Sequence, residues 1–118
     1  MTPEVLYPRL SDHALLQAVI AQDEKAWHEL LRRFRPLIFR CILRVVRRYG
    51  VLLDSEDVNE IFGDVCVSLL HNDMHKLRAY DPARGARLSS WLGLLAINTA
   101  HDFLRQYALA RGGKGEVD

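Results

Sequence analysis

The sequence predicts an all-α protein, a helical bundle of about four helices. Apolar residues recur with the 3.6-residue helical period in four separate stretches, and good helix-capping residues precede them. The β-branched, alternating stretches that a sheet would need are missing. The 118 residues, 49% of them hydrophobic, suffice for one domain whose core needs no disulfide or metal.

Two helices are predicted in the first half of the chain. Ser11 or Asp12 can cap a short amphipathic helix, and Asp23 can cap a second helix of about six turns. Pro36 lies within the second pattern without breaking its phase, so we expect a kink there, and Gly50 should end the helix. The apolar side of the second helix comprises Trp27, Leu30, Leu31, Phe34, Ile38, Cys41, Ile42, Val45 and Tyr49.

A third helix is predicted after residues 51–53, with acids in its first turn, where the positive end of the helix dipole favours them. The segment from His71 to Leu88 is then expected to be a structured loop, because Asp81-Pro82 and Gly85 interrupt it and its apolar residues are sparse. The buried stripe of the third helix is predicted to be Val58, Ile61, Phe62, Val65 and Leu69.

A fourth helix is predicted from about Trp91 to Tyr107, with Ser89 or Ser90 as its cap. Three glycines beyond it indicate a flexible tail. The side of this helix that can enter the core comprises Leu92, Leu95, Ala96, Thr99 and Phe103.

These patterns divide the chain into an N-terminal tail (1–10), a helical domain (11–109) and a flexible linker or excised end (110–118). No apolar run approaches the roughly 20 residues that span a bilayer, and the N-terminus lacks a signal-peptide pattern. We therefore expect a soluble, cytoplasmic protein without a membrane partner. Cys41 and Cys66 lie within apolar helical patterns, which is typical of packed thiols in a reducing compartment.

The net charge of +1 argues at first against a nucleic-acid partner, because DNA-binding domains are usually basic. The charges are segregated, however: seven arginines and no acid lie between Arg32 and Arg48, whereas five acids and no base lie between Asp54 and Asp64. Two solvated helix faces would explain this pattern without any partner. The role of the arginine run stays open.

Catalytic and metal-binding patterns are weak. His71 and His75 have the spacing of a metal-binding pair, with Asp73 nearby, but no third ligand with compatible spacing follows. The chain also lacks a phosphate-binding glycine loop after a strand, a Gly-x-Ser-x-Gly turn, and a cysteine paired with a base. We therefore predict a protein that is not an enzyme and has no cofactor, and interpret the two histidines as solvated.

The polar face of the fourth helix is more informative. Four residues at offsets of 0, 3, 4 and 7 share this face: Asn98, His101, Asp102 and Arg105. Amide, imidazole and guanidinium groups in a row suit hydrogen bonding to base edges and phosphates. The alternative is an ordinary solvated face with an ion pair between Asp102 and Arg105.

The loop before this helix carries cations and hydroxyls at a helix N-terminus, where free backbone N–H groups also favour anions. These residues are Arg84, Arg87, Ser89 and Ser90, and Trp91 follows directly. Cations beside an aromatic ring are typical of sites for single-stranded nucleic acid, in which phosphates meet the basic groups and a base stacks on the ring. The alternative for Trp91 is a core anchor.

The run from Tyr80 to Arg105, YDPARGARLSSWLGLLAINTAHDFLR, resembles region 2 of the extracytoplasmic-function (ECF) sigma factors of bacterial RNA polymerase, in the sigma-70 family. That family shows aromatic-Asp-Pro, a basic loop, Trp-Leu, Ala-x-Asn and Asp-x-x-Arg in this order. Upstream, DEKAWHELLRRFRPLIFR is similar to the family's first conserved segment, so the resemblance covers residues 12–106. The matching residues of the long run are Tyr80, Asp81, Pro82, Arg84, Arg87, Trp91, Leu92, Ala96, Asn98, Asp102 and Arg105.

The third helix departs from the family pattern Asp-Leu-Val-Gln-Glu-Val-Phe. Its segment EIFGDVC keeps two acids, Glu60 and Asp64, but has Gly63 in place of the Gln and Cys66 in place of the Phe. A glycine within a helix costs about 1 kcal/mol relative to alanine. Gly63 therefore indicates either close approach of a partner or a divergent family member.

The resemblance implies a sigma factor region 2 domain that binds core RNA polymerase and recognises and melts the promoter −10 element in transcription initiation. The third helix would meet the clamp helices of the polymerase's largest subunit through Asn59, Glu60, Gly63 and Asp64. The loop and the polar face would hold the non-template strand of promoter DNA.

Family members carry a second helical domain with a helix-turn-helix, so we expect this chain to be an isolated domain of a longer protein. The alternative is a natural single-domain relative. An anti-sigma factor is a candidate further partner. The rival interpretation is a helical protein-interaction module that regulates polymerase or a sigma factor without reading DNA.

Overall fold

The computed structural model describes residues 7–49 and 53–115, with side chains described up to residue 110. Four α-helices account for most of these residues, and no strand occurs among them. The prediction of an all-α helical bundle is therefore confirmed. The helices are α1, Asp12–Ile20; α2, Glu24–Arg48; α3, Ser55–Ala79; and α4, Leu88–Gly115.

Side-chain caps define the starts of the first three helices. Ser11 accepts a first-turn backbone N–H at 3.0 Å, and Asp23 accepts two, at 3.0 and 3.3 Å. At the start of α3, Asp54 and Asp57 cap each other's backbone N–H groups reciprocally. Ser11 and Asp23 thus act as the predicted caps.

The central helix of the bundle is α2, which contacts α1, α3 and α4. It continues through Pro36, although a proline removes one backbone hydrogen bond of the helix. The predicted terminator, Gly50, lies outside the described residues. Tyr49 lies on the predicted apolar side of the second helix, but its side chain is 57% exposed. Tyr49 occupies the C-cap, beyond Val46, the last buried residue of α2.

The buried side of α4 differs in part from the predicted one. Leu92 and Ala96 are buried as expected, but three other predicted residues are only half-buried. The reason is the close approach of α2 at Gly93, where an added Cβ atom would lie 3.3 Å from the Cys41 sulfur. The buried apolar residues of α4 are therefore spaced by about one helical turn: Leu88, Leu92, Ala96, Ala100 and Leu104.

The predicted loop after the third helix is wrong for residues 75–79, because the chain is helical again there and α3 ends at Ala79. The helical path is interrupted at His71, and the next three residues, 72–74, have left-handed backbone angles. Met74 and Leu77 are buried, so tertiary packing holds the second half of α3 in place although its apolar residues are few. The remaining loop contains a short 3₁₀ turn, Pro82–Arg84.

The boundaries of α4 also differ from the prediction. The helix begins at Leu88 rather than at about Trp91, and it ends at Gly115 rather than at Tyr107. The Trp91 N–H already donates to the Arg87 carbonyl at 3.0 Å, so Ser89 and Ser90 lie inside the first turn and are not caps.

An ion-pair network attaches the N-terminal segment to α2. Glu29, only 7% exposed, accepts hydrogen bonds from Arg32 at 2.7 and 2.8 Å and from Arg33 at 3.3 Å. Arg33 also donates to Asp12 at 3.0 Å and to the Tyr7 carbonyl at 3.1 Å. The hydrogen bonds from Arg32 hold the pKa of Glu29 below its usual value.

Candidate nucleic-acid and polymerase interfaces

The loop that precedes α4 is held in shape by its own hydrogen bonds. The Asp81 side chain caps the 3₁₀ turn by accepting the Ala83 N–H at 2.9 Å, and the Tyr80 hydroxyl donates to the Ala86 carbonyl at 2.6 Å. The turn ends at Gly85, whose φ of 91° is a conformation that side chains disfavour. The loop therefore has a defined path from α3 to the start of α4.

This loop presents its cations to solvent beside the N-terminus of α4. Arg84 and Arg87 are both exposed, Ser90 is exposed, and Ser89 is half-buried. The first turn of an α-helix leaves backbone N–H groups without helical partners, so it favours anions. Cations, hydroxyls and free N–H groups consequently meet at one end of the bundle, an arrangement that suits a phosphate backbone.

Trp91 is partly anchored in the core and partly accessible. Its ring packs against Tyr80, with centroids 5.6 Å apart, and belongs to the margin of the core. The side chain is nevertheless only half-buried. An anchored ring with an accessible part can stack on an unpaired base without losing further side-chain freedom.

The four polar residues of α4 share its outer side but differ in their surroundings. Asn98, Asp102 and Arg105 are exposed, whereas His101 is half-buried and meets the Tyr49 ring edge-on at 5.4 Å. Asp102 and Arg105 form the predicted ion pair. Both partners are about two-thirds exposed, so the pair contributes little to stability. From Arg87 to Arg105 the helix rises about 27 Å, so loop and polar face form one long surface.

The outer side of α3 carries the residues considered for a polymerase contact. Asn59, Glu60 and Asp64 are exposed, and Gly63 is half-buried. A Cβ atom added at Gly63 would meet nothing within 4 Å, so packing inside this domain does not explain the glycine.

Two apolar residues extend this side of α3 and were missed from the sequence. Val67 is 66% exposed and Leu70 is 43% exposed. They lie four and seven residues after Gly63, which puts them on the same helical side. Their position off the buried stripe of α3 was a signal available in the sequence. The surface is thus mixed, with acids beside apolar groups, as in many protein interfaces.

A further cluster missed from the sequence lies where α2 meets α3. The Arg35 guanidinium lies 4.8 Å from the Phe62 ring centroid and 5.0 Å from that of Phe39, and the two rings stack at 4.7 Å. Cys66 lies nearby, and burial raises the pKa of its thiol. The cluster fixes α3 against α2 and so holds the outer side of α3 in position.

The histidine pair does not share a helix face. His71 and His75 are exposed, and the left-handed residues between them remove the spacing that a helix would give. Among the described residues, no group of three or more metal-ligating side chains could hold an ion. Within the same residues, no helix is both long enough and apolar enough to cross a bilayer.

The comparison with known families identifies the class of this protein. The model of sigma-70 region 2 matches residues 30–109, which is more than half of the chain and includes most of α2, all of α3, the loop and most of α4. The chain therefore belongs to the sigma-70 region 2 family. This family acts in polymerase binding and promoter recognition and is not a class of enzymes. No curated protein and no solved structure matches the chain.

Proposed function

We propose that this chain is the region 2 domain of an ECF-type sigma factor, which binds core RNA polymerase and holds the melted non-template strand of the promoter −10 element. One observation carries the proposal: in a family of promoter-binding domains, exposed cations, hydroxyls and Trp91 lie at the start of α4 and continue into its polar face. Extruding bases costs a few kcal/mol, which stacking at about 1–3 kcal/mol per base can offset.

The outer side of α3 is the proposed polymerase contact. Glu60 and Asp64 would pair with basic groups on the clamp helices of the largest subunit, while Val67 and Leu70 would supply apolar area. Gly63 would allow a partner helix to approach closely. An anti-sigma factor that covered this side would block assembly with polymerase.

The DNA contact is tested by the double variant Arg84→Ala/Arg87→Ala in complex with core polymerase. Affinity for a single-stranded −10 oligonucleotide should fall, and the slope of log affinity against log salt should decrease by about 1.4, or 0.7 for each lost phosphate contact. Fluorescence anisotropy across a salt series measures both. Arg9→Ala/Lys76→Ala, which removes two exposed cations elsewhere, is the matched control.

The rival function, a protein-interaction module that does not read DNA, is favoured by the exposed Val67 and Leu70. It predicts unchanged DNA affinity in the Arg84→Ala/Arg87→Ala variant. It also predicts no photocrosslink between promoter DNA and α4 residues 89–105. Crosslinks from these residues to promoter DNA in the polymerase complex would support the sigma factor function, and their absence would support the interaction module.

A further inference from the structure

A groove between α2 and α4 leads away from the loop end of the proposed DNA site. Leu37 and Cys41 of α2 form one wall, Gly93 and Ile97 of α4 form the other, and Ser90 lies at the loop end. The two helices approach closely at Gly93, where an added Cβ atom would lie 3.3 Å from the Cys41 sulfur. The floor of the groove is apolar, so the groove needs polar groups along its margins to hold a charged ligand.

A second concave surface, farther along α4, is lined by Tyr49, His101, Leu104 and Arg105. Ile97 of the groove and His101 of this surface are one helical turn apart, so the two concavities follow each other along α4. The perpendicular contact with His101 orients the Tyr49 ring while leaving it more than half exposed. An oriented, exposed ring is a platform on which a base can stack.

Two arginines of α2 continue the wall of the groove toward Tyr49. Arg44 and Arg48 follow Cys41 at spacings of three and seven residues, so they lie on the same side of α2 as Cys41. Both are exposed. Among the side chains described in 7–49 and 53–110, no carboxylate forms an ion pair with either guanidinium. The margin of the groove is therefore cationic at its far end.

We propose that Tyr49, Arg44 and Arg48 form a second nucleic-acid subsite, at which one base stacks on Tyr49 and its neighbouring phosphates contact the two arginines. The inference rests on the proposed function, since the same strand is held at the loop. From Ser90 to Arg105 the helix rises about 22 Å, a distance that about six stacked nucleotides span at 3.4 Å each. Part of the arginine run of α2 thereby has a role in DNA binding.

The test compares two single-stranded probes, with the full chain assembled on core polymerase. The short probe has three nucleotides, too few to extend from the loop to Tyr49, and the long probe extends it by six nucleotides on each side. Tyr49→Ala should weaken binding of the long probe by about 5-fold to 150-fold and leave binding of the short probe unchanged. Tyr49→Phe keeps the ring and should bind the long probe like the wild type.

The arginines are tested on the same probes. For the long probe, Arg44→Ala/Arg48→Ala should decrease the slope of log affinity against log salt by about 1.4, whereas the control Arg9→Ala/Lys76→Ala should not change it. Far-UV circular dichroism checks that each variant is folded.

The outcomes separate this inference from the proposed function. Unchanged affinity of Tyr49→Ala for the long probe overturns the second subsite. The proposed function then stands if Arg84→Ala/Arg87→Ala still binds both probes more weakly than the wild type. An equal loss of affinity for both probes in Tyr49→Ala also overturns the second subsite, because the effect then does not depend on the length of the strand. Loss of polymerase co-purification in Tyr49→Ala would show that the surface meets protein rather than DNA. Unchanged binding in all variants removes both proposals.

Discussion

At the scale of single residues, Glu29 determines how the N-terminal segment is attached to α2. A carboxylate this deeply buried is tolerated only with charged partners, and Arg32 and Arg33 supply them. Because Arg33 also binds Asp12 and the Tyr7 carbonyl, one network joins three parts of the chain. Tyr7 makes a second interaction through its hydroxyl, which donates a hydrogen bond to the Asp23 carboxylate. This hydrogen bond lowers the pKa of Asp23.

The Glu29→Gln variant tests this network. The folded-state pKa of Glu29 lies below its ordinary value of 4.5, so its charge stabilises the fold above that pH, and the stabilisation is lost as the pH falls through the folded pKa. The variant should be less stable than the wild type at pH 7, by on the order of 1–3 kcal/mol. The difference should narrow below about pH 4.5.

Urea unfolding at pH 7 and pH 3 measures the effect. Glu24→Gln is the control, because the Glu24 side chain is 87% exposed. If the difference in unfolding free energy between Glu29→Gln and the wild type stayed constant with pH, the shape of the side chain, and not its charge, would be responsible for the stabilisation.

At the scale of helices, two glycines occupy contrasting environments. Gly63 lies within α3 beside open space, whereas Gly93 lies within α4 against the Cys41 sulfur. Glycine weakens a helix interior wherever no close contact requires it. Gly93 is thus explained by packing within the domain, whereas such packing does not explain Gly63.

Gly63→Ala should therefore have opposite effects on folding and on binding. The free domain should gain about 0.5–1 kcal/mol of unfolding free energy, because alanine favours the helix and meets no neighbour. Affinity for core polymerase should fall, since the added methyl group separates the two surfaces. Thermal unfolding and a polymerase binding titration measure the two effects. Gly93→Ala is the control, in which the gain in stability should be smaller or absent. Unaltered polymerase affinity in Gly63→Ala would contradict the proposed contact.

Much of the helical architecture was predictable because local chemistry determines it. Ser11 and Asp23 cap their helices through hydrogen bonds within one turn, and such signals are present in the sequence. The second half of α3 was missed because Met74 and Leu77 are held by packing against distant residues. Tyr49 fits the apolar period of α2 but is exposed, because periodicity does not reveal where a helix extends beyond the core. The exposed pattern of the candidate residues on α4 was predictable, but the groove beside them depends on the packing of two helices.

At the scale of the whole molecule, a net charge near zero conceals two surfaces of opposite sign. The acids of α3 lie on its outer side, and the arginines of α2 and of the loop lie elsewhere. Such an arrangement lets one small domain meet a basic protein surface and an anionic nucleic acid at the same time. The residues before position 30 lie outside the family match, yet Gln22 binds Asp73 of α3 at 3.3 Å, so they belong to the same folded unit.

Reversing the acidic surface tests this division. Glu60→Lys/Asp64→Lys should abolish co-purification with core polymerase, because four units of charge change where basic groups are proposed to dock. Both residues are exposed, so helicity by circular dichroism should stay the same. Glu24→Lys alters an exposed acid on α2 and should leave co-purification intact. Retained co-purification of the double variant would assign the polymerase contact to another surface.

The hydrogen bond from the Tyr80 hydroxyl to the Ala86 carbonyl has a thermodynamic consequence for DNA binding. It closes the loop into a ring before any ligand arrives, so the loop loses little conformational entropy when a strand binds. In the proposed DNA complex, the strand would then meet a rigid surface rather than a segment that folds around each target. Discrimination between DNA sequences would depend on how readily the bases leave the duplex and adopt the shape that the protein already has.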